Sequence, residues 1–360
     1  MKEKSSTDAP YPMRGSPRVI RAYNFSQKIV MIDGLPGSGK TLVSPLISSL
    51  KRTELLSYSF ETEFICRLGA LEKIAPDAVT AMIRMLLDHK IYEQMMGRNL
   101  NFRYSDLSSA FKAIKPLRYF WRLFQRGDEA VPDLIERQQP ILNLAVHDLT
   151  RVCEYLFSAL DPRLVFVRVI RHPLSMLVQN FLNHERLLQN PRDIQVCLEY
   201  KSEQLPYFAR GWEDKFCSSN NIDRTIYAIE WMLNESEVAV ERLKPGHRKN
   251  LLEVPFEKFV IDPTPYIDQV ACLLETRWTR STKRAMKKQN VPRANIFDGP
   301  DLAIYRRCGW EPPQSGLSQR EEFLKRREFA VAQGATEPAL MVLDRLCDDY
   351  EKRWQMESTR

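Results

Sequence analysis

The stretch KIVMIDGLPGSGKTLVSPLI, residues 28–47, decides the fold of this chain. Its first part, Lys28–Asp33, is a short apolar run that ends at a turn signal, which is the pattern of a buried strand. A glycine-rich turn follows, and the residues after it predict a helix from about Gly39 to about Lys51. Pro45 lies past the first turn of that helix, where it removes a backbone donor and predicts a kink.

The turn matches the pattern G-x-x-x-x-G-K-[ST] in full. Its glycines let backbone amides turn inward around anionic oxygens, and the following helix adds its partial positive charge. In such loops the lysine reaches a phosphate oxygen, and the hydroxyl residue binds phosphate or magnesium. We therefore predict a phosphate-binding loop, of the Walker A type, formed by Gly34, Pro36, Gly37, Ser38, Gly39, Lys40 and Thr41.

The rest of the chain alternates between strand and helix patterns. Residues 140–149 and 163–173 are predicted strands, and residues 250–263 are predicted to hold a fourth strand with an exit loop. Alternation of this kind implies right-handed crossovers and a parallel sheet, with ligands bound at the carboxyl ends of the strands. That rule places Gly34–Thr41, His147–Asp148 and Arg171–Pro173 on one rim.

The predicted fold class is α/β, a three-layer P-loop fold with a central parallel sheet flanked by helices and a helical insertion. We assign residues 1–26 to a disordered leader and residues 27–360 to one domain, with the insertion at about 58–136 and a helical tail at about 276–360. Within the insertion, residues 114–132 are basic and aromatic. This segment favours a helix that covers a substrate cleft over a membrane-facing helix.

Composition excludes several classes of protein. The chain has 360 residues, and its 53 basic and 46 acidic side chains give a formal charge of +7 without any nucleic-acid recognition motif. Its seven cysteines show no C-x-x-C spacing, which argues against a disulfide framework and a zinc site and favours a reducing compartment, the cytoplasm. No apolar run approaches the roughly 18 residues of a membrane span, so we expect no stable membrane insertion.

A second motif lies in VRVIRHPLSMLVQNFLNH, residues 167–184. Here Arg171 leaves a strand, Pro173 follows, and a helix begins, which aims the guanidinium at the rim. Together with the phosphate loop, this R-x-P arrangement resembles the sulfotransferase family that uses 3′-phosphoadenosine 5′-phosphosulfate (PAPS). The likeness covers roughly residues 28–50 and 140–275 and includes the late segment LLEVPFEKFVIDPTPYIDQVACLLE.

The resemblance implies a role for several residues. It implies that the loop holds the 5′-phosphosulfate, that Arg171 holds the 3′-phosphate, and that His147, 24 residues earlier, is the catalytic base. Lys40 would stabilise the charge that develops in the transition state. Gln179 stands where the family usually has serine and can still donate to a phosphate oxygen. A late basic pair, Arg306 and Arg307, is the counterpart of a segment that closes over the nucleotide.

Some positions depart from the family pattern and keep other functions open. Gly37 and Ala145 stand where the family usually has a basic residue, and Lys40 stands where kinases have their lysine. The leading hypothesis is transfer of a sulfuryl group from PAPS to a hydroxyl or amine, without a metal. The alternative is a P-loop kinase that uses Mg-ATP, with Asp148 as magnesium ligand, and a non-enzymatic phosphate-binding module is the third.

The acceptor site is less defined by the sequence. We expect a small-molecule or saccharide acceptor in a pocket shaped by residues 58–136. Tyr92, Arg98, Arg103, Tyr104 and Trp121 are candidates to line it, and core packing is the favoured role of the aromatic residues among them.

Overall fold

A computed structural model describes residues 17–25, 27–104, 106, 108–113, 115–185, 187–188, 194–299, 306 and 317–356. Within these ranges the centre of the protein is a five-stranded parallel sheet in the order β2–β3–β1–β4–β7, and a separate hairpin pairs β5 with β6. The strands are β1 Ile29–Asp33, β2 Ser57–Tyr58, β3 Leu142–Ala145, β4 Leu164–Ile170, β5 Cys197–Tyr200, β6 Glu203–Pro206 and β7 Leu251–Pro255.

Strand β1 lies in the middle of the sheet and sets its register. Ile29 lies opposite Leu142 of β3 on one side and Leu164 of β4 on the other. Because all the pairings in this sheet are parallel, the carboxyl ends of β3, β1 and β4 lie side by side. The prediction that three separate sequence regions meet on one rim is confirmed at the level of strand order.

Helices cover the sheet and form most of the remaining described structure. They are α1 Lys40–Ser48, α2 Phe60–Ala70, α3 Pro76–Met96, α4 Pro116–Arg122, α5 Val131–Gln138, α6 Cys153–Leu160, α7 Pro173–Glu185, α8 Glu213–Ser218, α9 Asn221–Arg242, α10 Pro245–Arg248, α11 Phe256–Ile261, α12 Thr264–Leu273, α13 Arg280–Lys288, α14 Gln319–Ala332 and α15 Glu337–Trp354.

Two apolar cores lie on opposite faces of the sheet. Val30 and Ile32 of β1 belong to one core, with α1, α7 and α12, while Ile29 and Met31 belong to the other, with α3 and α6. The alternation follows from the two-residue period of a strand, and both faces are apolar because both are covered. The predicted α/β fold with helices on both sides of a parallel sheet is confirmed.

The structure differs from the sequence interpretation in local detail. Phe256–Ile261, predicted as part of an exit loop, is the short helix α11, and helix α1 ends at Ser48 rather than near Lys51. The two-residue strand β2 and the β5–β6 hairpin have no counterpart among the predicted strands. Of the helices described above, none combines the length and the apolar composition that a membrane span requires.

Candidate functional site

The predicted phosphate loop, residues 34–41, connects the end of β1 to the start of α1 and adopts a conformation that needs glycine. Gly37 and Gly39 have φ values of 80° and 98°, in the left-handed region. A Cβ on Gly39 would collide with the ring of Phe256, so the second glycine of the motif is required by packing as well as by backbone angle. The loop leads directly into α1, whose N-terminus faces any anion held there.

Lys40 folds back into its own loop. Its Nζ donates to the carbonyl of Gly34 and, at 3.1 Å, to that of Leu35. Desolvation lowers the pKa of Lys40 to about 8, although the nearby charge of Asp33 opposes this shift. A cation held at this point is available to anionic oxygens that enter the loop, and an incoming anion would restore the proton affinity that burial has reduced.

Arg171 reaches the phosphate loop from the neighbouring strand. It follows the last residue of β4, and its Nη1 donates to the carbonyl of Gly37 at 2.8 Å. Its guanidinium carbon lies 4.2 Å from the ring centre of Phe256, and its Nε lies 3.8 Å from Glu257 Oε1. Lys40 and Arg171 therefore contact the same loop, as the sequence interpretation requires of a shared nucleotide cleft.

Helix α7 forms the wall of the cleft beside Arg171. A Cβ built on Gly37 would lie 3.3 Å from Gln179 Oε1, and Asn180 Nδ2 donates to the carbonyl of Pro36 at 2.9 Å. The hydroxyls of Ser38 and Ser175 are buried and have no hydrogen-bond partner among the described residues. Buried hydroxyls are ordinarily paired, so Ser38 of the loop and Ser175 of α7 are two donors without a partner in this region.

His147 follows β3, and Glu63 of α2 fixes its orientation. Glu63 Oε1 lies 3.0 Å from His147 Nδ1 and also accepts the backbone N–H of His147 at 3.0 Å. An ionised carboxylate only accepts, so Nδ1 donates to Glu63, and this tautomer leaves Nε2 as the ring nitrogen that can accept a proton. His147 is about one-third exposed, whereas Glu63 is buried. This tautomer is the one that a general base needs.

Two aromatic rings pack beside the imidazole. The rings of His147, Tyr58 and Phe60 are nearly parallel and form a triangle, with centroids 6.0 to 6.2 Å apart. Arg67 pairs with Glu63 at 3.1 Å and donates to the carbonyl of His147 at 2.9 Å. These contacts leave a half-exposed aromatic surface, chiefly Phe60, beside the base.

Asp148, the acidic residue of the kinase alternative, uses one oxygen in other bonds, and its Oδ1 is buried without a hydrogen-bond partner among the described residues. Its Oδ2 accepts from Arg151 Nε at 2.8 Å and from the Tyr207 hydroxyl at 2.9 Å. Asp33, at the end of β1, accepts through one oxygen from Thr150 and its neighbour. In the described ranges no group of three or more His, Cys, Asp or Glu side chains is arranged to hold a metal.

Helix α15 supports Arg171 indirectly, through Glu257. The Tyr350 hydroxyl donates to Glu257 Oε2 at 2.6 Å, and Glu257 in turn faces Arg171 and accepts from the backbone N–H of His172. His172 is fully buried and bonds Glu351 of the same helix at 3.1 Å. Glu257 thus has a structural role, and α15 is part of the architecture of the site.

The remaining predicted residues have different outcomes. Thr41 lies in the first turn of α1 and is partly exposed, Arg306 is exposed, and Arg307 lies outside the described residues. The prediction that the aromatic candidates pack in the core is wrong for Tyr104 and Trp121, because these side chains are 76% and 67% exposed.

Glu63 is the functional residue that sequence reasoning missed. It lies 84 residues from His147 in the chain. No spacing rule links an acid on one crossover helix to a histidine at the end of another strand. The available signal was a carboxylate in the first turn of a helix that follows a strand, and that pattern is common.

Comparisons with known proteins complete the description of the site. No protein-family model matches the chain, and neither does any curated protein sequence. A sulfotransferase domain from the olefin synthase of Synechococcus PCC 7002 is 12% identical, with a TM-score of 0.38 over 88% of this chain and 98% of that one.

Two further solved structures are similar at the same level. The sulfotransferase STF9 from Mycobacterium avium is 14% identical, with a TM-score of 0.42 over 92% of this chain and 78% of that one. A sulfotransferase domain from the curacin biosynthetic pathway is 12% identical, with a TM-score of 0.37 over 80% of this chain and 99% of that one. Because these TM-scores lie below 0.5, we base the functional proposal on the residues of this chain.

Proposed function

We propose that this protein transfers a sulfuryl group from PAPS to a hydroxyl or amine of an acceptor. One observation carries the proposal: Arg171, at the end of β4, donates to the phosphate loop at 2.8 Å, while His147 stands after β3 on the other side of that loop. A cationic anchor, an anion-binding loop and an oriented base thus lie along three adjacent strand ends. This order suits a donor that carries phosphate at both ends and an acceptor that must lose a proton.

Different residues of the site would bind different parts of PAPS. The loop amides, Lys40 and Thr41 would hold the 5′-phosphosulfate, where charge develops during transfer. Arg171 and Gln179 would hold the 3′-phosphate, since an arginine fork matches phosphate oxygens. The unpartnered hydroxyl of Ser38 adds a donor within the loop. The fit is electrostatic and needs no metal ion.

The chemistry follows from this arrangement. His147 takes the acceptor proton at Nε2 while the acceptor oxygen or nitrogen forms its bond to sulfur. The bond from sulfur to the bridging oxygen breaks, and the electron pair stays on the 5′-phosphate of the leaving adenosine bisphosphate. Lys40 lies in the loop where that charge appears. Positioning and electrostatics supply most of the rate enhancement in transfers of this kind.

A P-loop kinase that uses Mg-ATP is the second candidate, because Lys40 and Thr41 complete the kinase form of the motif. The environment of Asp148 does not exclude it. Asp148 Oδ2 is bonded to Arg151 and Tyr207, but Oδ1 is buried without a hydrogen-bond partner among the described residues, and a magnesium-binding carboxylate needs one such open oxygen.

We also propose a class of acceptor and a cellular compartment. The exposed ring of Phe60 beside His147 favours an acceptor with an apolar portion, a small molecule or a saccharide conjugate. The described cysteines are all free, which favours a reducing compartment, the cytoplasm.

A thermal-shift titration tests the donor. Adenosine 3′,5′-bisphosphate (PAP) should raise the melting temperature with EDTA present, and Arg171→Ala should abolish the shift. Arg210→Ala serves as the control, because Arg210 is an exposed arginine that bonds a distant carbonyl, that of Ala70. Stabilisation by Mg-ATP with no response to PAP would replace the proposal with the kinase, and no response to either would favour the non-enzymatic module.

A further inference from the structure

Helix α4 is anchored by its polar side, through Glu54. Arg122 makes a two-pronged contact with this buried carboxylate, at 2.8 Å and 2.9 Å, and the Tyr119 hydroxyl lies 3.2 Å from it. Burial alone would raise the pKa of Glu54, but the charges of Arg122 and Arg118 outweigh it and hold the pKa below its usual value. The inward side of α4 is therefore a buried ionic cluster.

The apolar side of the same helix points outward. Leu117, Trp121 and Phe124 are 68%, 67% and 81% exposed. Leu117 and Trp121 are four residues apart and share one face of α4, and Phe124 lies in the turn that follows the helix. The hydrophobic effect alone favours the opposite orientation, with the rings inside and the charges outside. The bonds to Glu54 therefore keep α4 in an orientation that the hydrophobic effect disfavours. An apolar face fixed in this direction is available to a partner.

Neighbouring rings widen this surface. Phe120 lies 5.6 Å from Phe111 and 5.5 Å from Phe102, and Phe111 lies 6.2 Å from Tyr104. We call the resulting surface the aromatic patch: Phe102, Tyr104, Phe111, Leu117, Phe120, Trp121, Leu123 and Phe124. Of 19 large apolar side chains exposed in the described structure, seven belong to this one patch, so their exposure is concentrated rather than scattered.

The same segment is rich in basic side chains. Residues 97–127 contain seven Lys or Arg and one Asp, a net charge of +6. Two of the seven, Arg118 and Arg122, turn inward to Glu54. The other five are exposed around the patch: Arg98, Arg103, Lys112, Lys115 and Arg126.

We propose that the aromatic patch docks on the surface of an anionic lipid bilayer. Tryptophan, tyrosine and phenylalanine rings seat at the headgroup level, and surrounding Lys and Arg attract anionic lipids. A single surface that joins exposed rings to five exposed basic side chains matches both requirements. Docking of this kind is peripheral and involves no spanning helix. It goes beyond the proposed enzymatic function and does not depend on it.

Sedimentation of the full chain with lipid vesicles tests the inference. Vesicles of phosphatidylcholine alone should leave the protein in solution, and vesicles with roughly one-third phosphatidylserine should bind it. Binding should fall steeply between about 0.1 M and about 1 M salt. Trp121→Ser with Phe124→Ser should weaken binding about tenfold or more at unchanged charge. Lys115→Glu with Arg126→Glu should weaken it roughly 30-fold or more.

Matched variants elsewhere decide whether the patch is responsible. Leu324→Ser with Met341→Ser removes exposed apolar side chains from α14 and α15, and Lys283→Glu with Lys287→Glu reverses charge on the basic helix α13. Both controls should bind like the unaltered protein. The inference is overturned if the protein binds neither kind of vesicle, or if the control variants lose binding as much as the patch variants do. It is also overturned if the protein does not bind vesicles and light scattering shows a self-association that only the Trp121/Phe124 variant loses.

Discussion

Replacing Glu63 with glutamine tests whether this carboxylate holds His147 ready to take a proton. Glutamine keeps the shape and one acceptor oxygen but removes the negative charge 3.0 Å from Nδ1. Hydrogen bonds to charged groups contribute about 1.5–3 kcal/mol. If the carboxylate supports the imidazolium formed during transfer, kcat should therefore fall about 10- to 150-fold.

The substitution also leaves Arg67 buried without its 3.1 Å counter-charge. Breaking such a pair costs about 3 kcal/mol or more, so the melting temperature should fall and assays belong well below it. Glu61→Gln is the matched control, because Glu61 lies in the same helix turn, is 57% exposed and pairs only with Lys90 in the described structure. Its effect should lie within about 0.5 kcal/mol.

Two measurements separate positioning from simple destabilisation. Nitrogen NMR of the neutral His147 ring should show the Nδ1–H tautomer in the unaltered protein and a mixture of tautomers in Glu63→Gln, with no nucleotide needed. Release of PAP from PAPS, with a panel of phenol, alcohol and amine acceptors, gives kcat. PAP itself should still stabilise the variant. Glu63→Gln behaving like Glu61→Gln in both tautomer and turnover would refute the reasoning.

Three further predictions follow from buried groups. Tyr350→Phe removes the 2.6 Å bond to Glu257 and should weaken PAP binding about fivefold by calorimetry; unchanged affinity would contradict the support assigned to α15. Desolvation sets the pKa of Lys40 at about 8 rather than 10.5, so the group is largely neutral at about pH 9, and PAP binding there should take up a proton. Calorimetry in buffers of different ionisation enthalpy measures the uptake, which Lys40→Met should abolish; equal uptake in both proteins would disprove the assignment. The folded-state pKa of Glu54 is lowered, so its stabilisation is present above the unfolded value of 4.5 and lost as pH falls through the folded pKa. The difference in melting temperature between the unaltered protein and Glu54→Gln should therefore shrink as the pH is lowered. A difference that stays constant with pH would contradict the stabilising role of ionised Glu54.

The rim of the sheet was predictable because its signals are local. Residues 28–47 contain the sequence patterns of a buried strand, a glycine turn and a helix start. Strand β1 and helix α1 begin within one residue of their predicted starts. Parallel topology then brings the ends of β3 and β4 to the same edge without any knowledge of contacts. The proximity of Arg171 to the loop follows from that rule.

Other parts of the structure depend on contacts that a single sequence does not encode locally. An amphipathic pattern shows that α4 has two faces but not which one is buried. The usual assumption of apolar inside fails there because Glu54, from a distant segment, fixes Arg122. The contact of Glu63 with His147 likewise arises from the placement of α2 beside the end of β3, and strand β2 is too short for periodicity to detect.

The support of Arg171 by Glu257 and Tyr350 has a consequence for biosynthesis. The phosphate loop is synthesised well before α15, which carries Tyr350, so the support of Arg171 is complete only after α15 has been added. A nascent chain that lacks α15 holds the loop without its finished anchor. Nucleotide therefore favours chains that include α15 over shorter ones, and fragments stopped before residue 350 are expected to be poor at retaining it.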